Sequence, residues 1–339
     1  MGRANPVMVF IECRDHHIAE VSIELICEAG RLAEKIGAPV EAVALGYQIQ
    51  DDLEVLGQYG CRRVHYLEDK RLAHFTSVPF ARAMVKVIKE IEPRIVLFGA
   101  TKIGRDVAPR VASTLKCGLT ADCTALEIGE HRTKDKEYTD ILLQIRPAFG
   151  GNILATIISP DSTPSMATVR DGVMKRTDPD PAQTTEIVKT DHGLSDEDFL
   201  TEVLEVVEKE RDVDLKAAKI IVSAGMGACN TESLSLIKEL ATLLGGEVGA
   251  SRPVVDSGLL GKDHQVGQTG VAVNPNLYIA CGISGQIQHR AGMSGAKRIV
   301  AINDNPAAPI FGIAHYGIVG NVMDILPKLI KTFKARNSA

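Results

Sequence analysis

The sequence predicts an α/β protein with an N-terminal mixed-sheet α/β domain and a C-terminal Rossmann-like, doubly wound domain. Short apolar runs alternate with segments of helical apolar spacing, which is typical of parallel sheets covered on both faces. The chain has 339 residues, enough for two hydrophobic cores. Lys175 to Asp198, rich in Thr, Pro and acidic residues, predicts an inter-domain linker with some extended structure. We therefore expect an N-terminal domain over 1–190, a linker and helix over 191–212, and a ligand-binding domain over 213–339.

The first half of the chain supplies eight predicted strands and four predicted helices. The strands are 7–12, 40–46, 64–67, 94–98, 124–128, 140–146, 152–158 and 166–169, and the helices are 19–36, 51–59, 78–91 and 107–115. The segment from Gly99 to Asp106 lies between a strand and a helix and could bind an anion. It lacks the spacing of a P-loop, so a structural turn or a surface for a partner protein is the alternative.

The second half begins with a short charged helix over Phe199 to Glu210 and then repeats the strand–helix alternation. The predicted strands are 218–223, 247–250, 277–280 and 298–302, and the predicted helices are 232–244, 323–335 and one starting near Gln286. Ligands of such sheets bind beyond the carboxyl ends of the strands. Because Gly225, Ser251, Ser284 and Asn303 all follow strands, we expect four loops to meet in one crevice.

The segment from Ser251 to His289 concentrates glycines and polar side chains at this predicted crevice. Gly282 and Gly285 lead from a strand into a helix, an arrangement that presents backbone N–H groups to a phosphate. The turn at Gly225-x-Gly227 is less specific, since it also fits an ordinary tight connection. The hydrogen-bond donors nearby are Arg252, Gln268, Thr269, Ser284, Gln288 and His289. A large phosphorylated cofactor is the first hypothesis.

A flavin would suit these donors, because its N5 and its C2 and C4 carbonyls need hydrogen bonds and its reduction adds negative charge. Arg252 and His289 could place positive or polarisable groups there. Each has an alternative: Arg252 could pair with Asp256 or Asp263, and His289 could lie on a helix surface. Asn303 could contact a ribose or adenine, or cap a helix. No nucleophilic set of Ser, His and Asp or of Cys and His is discernible, which favours a redox carrier.

Composition argues against several other classes of protein. The formal net charge of −5 and the absence of Trp disfavour nucleic acid as a partner. The seven cysteines include no CxxC pair, so we expect free thiols and no metal. No apolar run is long enough for membrane insertion and no signal peptide is evident, so we expect a cytoplasmic, prokaryotic protein.

At these residues the sequence resembles the α subunit of electron-transfer flavoproteins, over essentially the whole chain. The motifs are Gly249-Ala-Ser-Arg252, Val266-Gly-Gln-Thr-Gly270, Tyr278-Ile-Ala280, Gly282-Ile-Ser-Gly285, Ile287-Gln-His289, Ile299-Val-Ala-Ile-Asn303, Pro309-Ile-Phe311 and Tyr316-Gly-Ile-Val319. The resemblance implies non-covalent FAD in the C-terminal domain and a heterodimer with a homologous β subunit. Electrons would then pass singly to or from an acyl-CoA dehydrogenase, such as a butyryl-CoA dehydrogenase, or a similar flavoprotein.

The resemblance also implies a role for individual residues. Thr269 would hydrogen-bond the flavin N5 region, Arg252 would lie near the isoalloxazine ring, and His289 would lie near the C2 carbonyl, where it could stabilise an anionic semiquinone. These three would tune the redox behaviour of FAD. The implied cofactor-binding set is Gly227, Ser251, Arg252, Val266, Gly267, Gln268, Thr269, Gly270, Gly282, Ser284, Gly285, Gln286, Ile287, Gln288, His289, Asn303 and Asn321. Met226 departs from the Arg that relatives often carry, and Asn321 from their Asp.

The family has two modes, and the β subunit distinguishes them. It holds either AMP, leaving one FAD in the α subunit as a simple shuttle, or a second FAD that oxidises NADH and bifurcates the electron pair between a high-potential acceptor and ferredoxin or flavodoxin. Met226 and the plain N-terminus favour the bifurcating mode. A nucleotide-binding structural subunit without redox role is the alternative from another class, and a thiamine-dependent oxidase is disfavoured by the chain's length.

Overall fold

The computed structural model describes residues 5–14, 16–132, 136–148, 153–207 and 213–337, and the chain divides into two compact units after Val206. In the described residues of the first unit the α-helices are α1 (Glu20–Ile36), α2 (Gln50–Leu53), α3 (Ser77–Ile91) and α4 (Lys102–Leu115). Its strands are β1 (Val7–Ile11), β2 (Cys13–Arg14), β3 (His17–Ile18), β4 (Val40–Gly46), β5 (Arg63–Glu68), β6 (Ile95–Gly99), β7 (Leu119–Cys123), β8 (Ala125–Arg132), β9 (Glu137–Pro147), β10 (Leu154–Ile157), β11 (Ser165–Val169) and β12 (Glu186–Lys189).

Seven of these strands form the central sheet of the first unit, in the order β12-β5-β4-β1-β6-β11-β7. Every neighbouring pair is parallel. Alternate residues of β1 face opposite cores: Val7 and Val9 lie in one with α1, and Met8 and Phe10 lie in the other with α3 and α4. This alternation is what a strand covered on both faces requires.

The strands expected to complete a mixed sheet are divided between two sheets. Among the described residues β8, β9 and β10 form a separate antiparallel sheet in the order β10-β9-β8, whereas β11 joins the parallel sheet. The strand β7, which the sequence analysis did not identify, lies at the edge of the parallel sheet beside β11. Its polar residues Thr120 and Asp122 interrupt the apolar run that would have marked it.

The segment from Lys175 to Asp198, expected to be an inter-domain linker with some extended structure, contains a strand that joins the sheet of the first unit. Its residues Glu186–Lys189 form β12, which pairs with β5 at the sheet edge. Ion pairs fasten the same segment: Lys189 Nζ lies 2.7 Å from Glu68 Oε2, and Lys86 Nζ lies 2.6 Å from Asp191 Oδ2. A strand of four residues is too short to stand out among Thr and acidic neighbours in the sequence.

The predicted helix over Phe199 to Glu210 is also wrong in its described part. Residues 199–207 have no regular structure, and 208–210 lie outside the described residues. The apolar side chains Leu200 and Leu204 are 75% and 89% exposed. An isolated short helix without a packed apolar face is marginal in water, which explains the failure of the periodic pattern here.

The segment from Gly99 to Asp106 is a structural turn and the first turn of α4. The helix begins at Lys102, five residues before the predicted start, because the Thr101 hydroxyl accepts a hydrogen bond from Gly104 N at 3.0 Å and caps it. The same hydroxyl donates to Glu12 Oε1 at 2.6 Å. The Glu12 carboxylate beside the helix start favours the structural turn over an anion-binding loop, which stays a prediction.

The second unit is a five-stranded parallel sheet in the order β14-β13-β15-β16-β17. Its strands are β13 (Ile220–Ala224), β14 (Glu247–Ala250), β15 (Leu277–Cys281), β16 (Ile299–Asn303) and β17 (Tyr316–Val319), and its helices are α5 (Thr231–Leu244), α6 (Arg252–Asp256), α7 (Ile287–Arg290) and α8 (Val322–Asn337).

The two faces of this second sheet are covered differently. Residues of α5 and α8 pack on one face, over Val222 and Ile279. The other face, with Tyr278 and Ala280, is covered mainly by irregular segments that contribute Val266, Met293 and other apolar residues. Those irregular segments carry the predicted site residues of Val266–Gly270 and of 282–286. Within the described parts of the chain, no helix combines the length and apolar character that crossing a membrane requires.

Candidate functional site

The carboxyl ends of β13, β14 and β15 lie side by side, and backbone hydrogen bonds fix the loops that follow them. Ser251 N donates to Ala224 O at 2.9 Å, Gly225 N donates to Cys281 O at 2.8 Å, and Gly282 N donates to Ile302 O at 2.8 Å. The chain moves from β13 to β14 on one side and to β15 on the other. This is the topological switch point, where ligands bind in sheets of this kind.

At the switch point two backbones touch, and only glycine fits between them. Gly227 N donates to Gly282 O at 3.0 Å. Gly282 has φ +65°, and a Cβ there would lie 2.7 Å from the Gly227 carbonyl carbon. A Cβ on Gly225 would lie 2.2 Å from Gly282 O. The glycines therefore keep the floor of the crevice free of side chains, which allows a ligand to approach the backbone.

A second pair of segments, Val266–Gly270 and Ser284–His289, is held together by backbone contacts. Gln268 N donates to Gln288 O at 2.8 Å, and a Cβ on Gly292 would lie 2.5 Å from Gly267 Cα. Val266 N in turn donates to Ala250 O at 2.9 Å. The structure thus brings together the two richest clusters of predicted site residues, although 14 positions separate Gly270 from Ser284 in the sequence.

The predicted residues fall into two groups by exposure. The exposed group offers donors and backbone to a ligand and consists of Gly227, Arg252, Gln268, Thr269, Gly270, Ser284, Gln286, Ile287, Gln288 and Asn321. The buried group supports these loops and consists of Ser251, Val266, Gly267, Gly282, Gly285, His289 and Asn303.

Arg252 is exposed and paired within its own helix. Its Nε donates to Asp256 Oδ2 at 3.2 Å, one helical turn away, and both side chains are at least 60% exposed. Of the two ion-pair alternatives, the structure shows Asp256. An exposed pair of this kind contributes little free energy, so the guanidinium can leave it for an anionic ligand at low cost.

His289 is buried, so the interpretation as a helix-surface histidine is wrong. It is 7% exposed, and its Nε2 lies 3.0 Å from the Tyr278 hydroxyl, while its Nδ1 has no hydrogen-bond partner among the described residues. Burial lowers the pKa of His289 to about 4, against the opposing effect of the Val266 backbone. The imidazole is therefore neutral at pH 7.

The two asparagines of the predicted set already have structural partners. Asn303 Nδ2 donates to Ile283 O at 2.9 Å, and its Oδ1 accepts from Asn305 N, so its amide joins the loops after β15 and β16. Asn321 Oδ1 accepts from Met323 N at 2.8 Å, at the start of α8. A role at the adenosine end of a cofactor stays a prediction for both.

The helix expected near Gln286 is a single turn. The helix α7 has four residues, and Gly292 follows it immediately against the Val266–Gly270 loop. A longer helix would run into that loop. The anion-binding prediction therefore cannot rest on the dipole of α7, because a macrodipole needs several aligned turns. The prediction then depends on the hydrogen-bond donors of the exposed loops.

Two residues of the site were missed by the sequence analysis. Gln265, 1% exposed, donates from Nε2 to Thr269 Oγ1 at 2.9 Å. Tyr278, fully buried in β15, bonds His289. A tyrosine within an apolar strand needs a partner for its hydroxyl, so this signal was present for Tyr278. Gln265 gave none beyond its place beside the glycine-flanked loop.

These features fit FAD on grounds internal to the structure. The crevice floor is bare backbone, and the exposed members of the predicted set are hydrogen-bond donors or neutral. Acidic residues are absent from the predicted set, as a diphosphate requires.

Comparison with known proteins agrees with this geometry. A family model described as electron transfer flavoprotein domain matches residues 7–194, and one described as electron transfer flavoprotein FAD-binding domain matches residues 214–294. The chain is 46% identical over 335 residues to the electron transfer flavoprotein subunit alpha of Thermoanaerobacterium thermosaccharolyticum, covering 98% of this chain and 99% of that protein.

Two further relatives carry more specific names. The acryloyl-CoA reductase electron transfer subunit beta of Anaerotignum propionicum is 41% identical, with 98% of this chain and 96% of that protein covered. The lactate dehydrogenase (NAD(+),ferredoxin) subunit LctC of Acetobacterium woodii is 39% identical, with 96% of this chain and 76% of that protein covered. Given these matches over nearly its whole length, the chain belongs to the electron-transfer flavoprotein α-subunit family.

Proposed function

We propose that this chain holds one non-covalent FAD at the carboxyl edge of its second unit and carries electrons as the α subunit of a heterodimer with a homologous β subunit. The observation that carries the proposal is the side-chain-free floor at Gly225, Gly227 and Gly282, bordered by the exposed donors of the Val266–Gly270 and Ser284–His289 segments. FAD, when bound, would supply two-electron and one-electron redox chemistry that no side chain of this set can perform.

Different residues of the chain would have different roles in binding FAD. The exposed hydroxyls and amides of Thr269, Gln268, Ser284 and Gln288 would orient the cofactor by hydrogen bonds. Arg252 would exchange its pairing with Asp256 for the negative charge that reduction brings. Neutral His289, held by Tyr278, would place a hydrogen-bonding nitrogen without adding a full charge.

We further propose an acyl-CoA dehydrogenase, such as a butyryl-CoA dehydrogenase, as the redox partner, and bifurcation of electrons from NADH by way of a second FAD in the β subunit. Support comes from the relatives, one named as an acryloyl-CoA reductase electron transfer subunit and another as a subunit of a lactate dehydrogenase that uses NAD(+) and ferredoxin. Met226, 64% exposed in the glycine turn, also supports this mode, since it replaces a potential phosphate contact by an apolar side chain.

The test is the nucleotide content of the heterodimer purified with its β subunit, by absorbance and by chromatography of released nucleotides. Two FAD per heterodimer are expected. One FAD with one AMP would replace bifurcation by the simple shuttle, and the dehydrogenase partner would still be tested by reduction with acyl-CoA substrate. Absence of flavin from the heterodimer would overturn the proposed function as a whole and favour a structural nucleotide-binding subunit.

A further inference from the structure

Gln265 lies directly behind Thr269 and is held there by the backbone of the loop. Gln265 is 1% exposed, whereas Thr269 is exposed between Gly267 and Gly270. The loop folds back on Gln265: Val271 N donates to Gln265 O at 2.7 Å, and a Cβ on Gly270 would lie 2.1 Å from that oxygen. The contact between the two side chains is therefore fixed by local chain geometry and does not depend on a flexible surface rotamer.

The bond between these side chains decides which way the Thr269 proton points. Gln265 Nε2 donates to Thr269 Oγ1 at 2.9 Å. A threonine hydroxyl has one proton and two lone pairs, so a hydroxyl that accepts from the amide keeps its own proton for another acceptor. The structure records no acceptor for that proton among the described residues, and Thr269 faces solvent.

The reverse orientation of the amide is less favourable. If Gln265 Oε1 faced Thr269, the hydroxyl would donate inward and the buried NH₂ group would lose its bond. In the observed orientation Oε1 is the atom without a partner. Buried N–H groups without an acceptor are rarer in proteins than under-satisfied carbonyl oxygens, which favours the orientation seen.

We propose that Gln265 is a positioning residue that turns the Thr269 hydroxyl so that it donates its hydrogen bond toward the flavin ring. The inference rests on the proposed function, since it needs FAD at this loop. Flavin N5 accepts a hydrogen bond when it carries no proton and becomes a donor itself when protonated. A threonine hydroxyl whose proton points at N5 therefore favours the forms in which N5 is unprotonated and disfavours the N5-protonated, fully reduced form.

The isosteric substitution Gln265→Glu tests this directly in the heterodimer with FAD bound. The ionised carboxylate can only accept, so at a pH where this glutamate is ionised it draws the Thr269 proton inward. We expect the difference between the two one-electron reduction potentials of FAD to decrease by at least about 59 mV. This corresponds to a tenfold change in the equilibrium constant that the difference determines. With ¹⁵N-labelled FAD, the N5 resonance of the oxidised protein should shift toward that of a flavin without a hydrogen bond at N5.

The Thr269 background separates positioning from mere packing. Gln265→Glu should have no further effect on the N5 resonance in a Thr269→Val protein, because the two changes remove one interaction, whereas independent effects would add. Thr269→Ser keeps the hydroxyl and should respond to Gln265→Glu as the wild type does. If the glutamate variant does not fold, the same measurements are made on Gln265→Met, which removes the amide without adding a charge.

The outcomes distinguish the inference from the function on which it rests. If the wild-type heterodimer contains no FAD, both the proposed function and the role of Gln265 are overturned. FAD retained, with N5 resonance and potentials unchanged by Gln265→Glu or Gln265→Met, would overturn only the role of Gln265. Additive effects in the Thr269→Val background would reduce Gln265 to a packing residue.

Discussion

The two units of this chain have the same kind of switch point, and the two switch points are built differently. In the first unit it lies between β1 and β6, where Glu12 and Thr101 follow the strands, and in the second it lies between β13 and β15, where Gly225 and Gly282 do. The first is filled by a buried carboxylate that accepts from the Thr101 hydroxyl. The second is bare backbone.

The electrostatics of the two places differ accordingly. Burial raises the pKa of Glu12, although Thr101 and Arg14 oppose this, so the site resists additional negative charge. No acidic side chain belongs to the predicted set at the second switch point, and its buried titratable group, His289, is held neutral. Each parallel sheet has a crevice at the switch point of its strand order. The residues at the strand ends determine whether an anion can bind there.

The largest expected effect comes from filling the second crevice. Gly282→Ala forces a Cβ to within 2.7 Å of the Gly227 backbone and keeps φ at +65°. We expect a loss of about 3 kcal/mol or more in the free energy of unfolding, together with loss of FAD from the purified heterodimer. Chemical denaturation and flavin absorbance per protein measure the two effects.

Gly245→Ala is the matched control for that substitution. Gly245 has φ +64° at the end of α5, and a Cβ there would meet nothing within 4 Å. It should cost only about 1 kcal/mol and leave FAD in place. Equal effects of the two substitutions would mean that backbone strain alone, and not the contact between the two loops, explains the result at Gly282.

The next effect is a pH dependence of stability that arises from His289 in the second unit. His289 has a pKa of about 4 in the folded chain against an ordinary value of 6.5. Because the unfolded chain takes up the proton first as pH falls, the stability from neutral His289 is complete above pH 6.5 and is lost between pH 6.5 and about 4. The lowered pKa corresponds to about 3 kcal/mol.

Denaturation of the full chain at a series of pH values measures this slope. His289→Gln should flatten the dependence between pH 6.5 and 4, whatever its absolute stability. The exposed His17 of the first unit provides the control, and His17→Gln should keep the wild-type slope. An unchanged slope in His289→Gln would mean that the imidazole is not held neutral by burial.

The sequence predicted the strands of the second unit better than the edge strands of the first. The strands β13, β14, β15 and β16 were found because each is a short apolar run between glycine or polar residues, and their parallel order then placed Gly225, Ser251, Ser284 and Asn303 at one edge. The periodicity of apolar residues does not show which partner each side chain contacts. Asn303 bonds Ile283 O, 20 residues away, and no local pattern encodes that contact.

The errors have the same origin. The strand β12 exists because β5 offers it an edge and Glu68 and Lys86 offer it opposite charges, all distant in sequence. The helix over Phe199 to Glu210 was predicted from its own pattern, and residues 199–207 do not form it, because tertiary packing decides the state of short segments. Gln265 was missed because a single polar residue before a glycine loop has no periodicity at all.

The smallest expected effect tests the first switch point. Because desolvation outweighs the bonds of Glu12 and raises its pKa, the ionised carboxylate costs stability at pH 7. Glu12→Gln keeps the shape without the charge and should raise the stability of the full chain by up to about 1 kcal/mol at pH 7. As pH falls toward 4.5, the ordinary value for Glu, the wild-type carboxyl takes up a proton in the fold and this advantage should disappear.

Glu34→Gln, at an exposed position of α1, should change stability by less than about 0.5 kcal/mol. A loss of stability in Glu12→Gln at pH 7 would show that the charge-assisted bond to Thr101 outweighs desolvation.

The heterodimer carrying Glu12→Gln should also take up no extra nucleotide. The neutral variant still has Thr101 capping α4, and Gly104 packs so closely on β6 that a Cβ would lie 1.9 Å from Gly99 O. An additional nucleotide bound to this variant would mean that the carboxylate alone separates the two switch points.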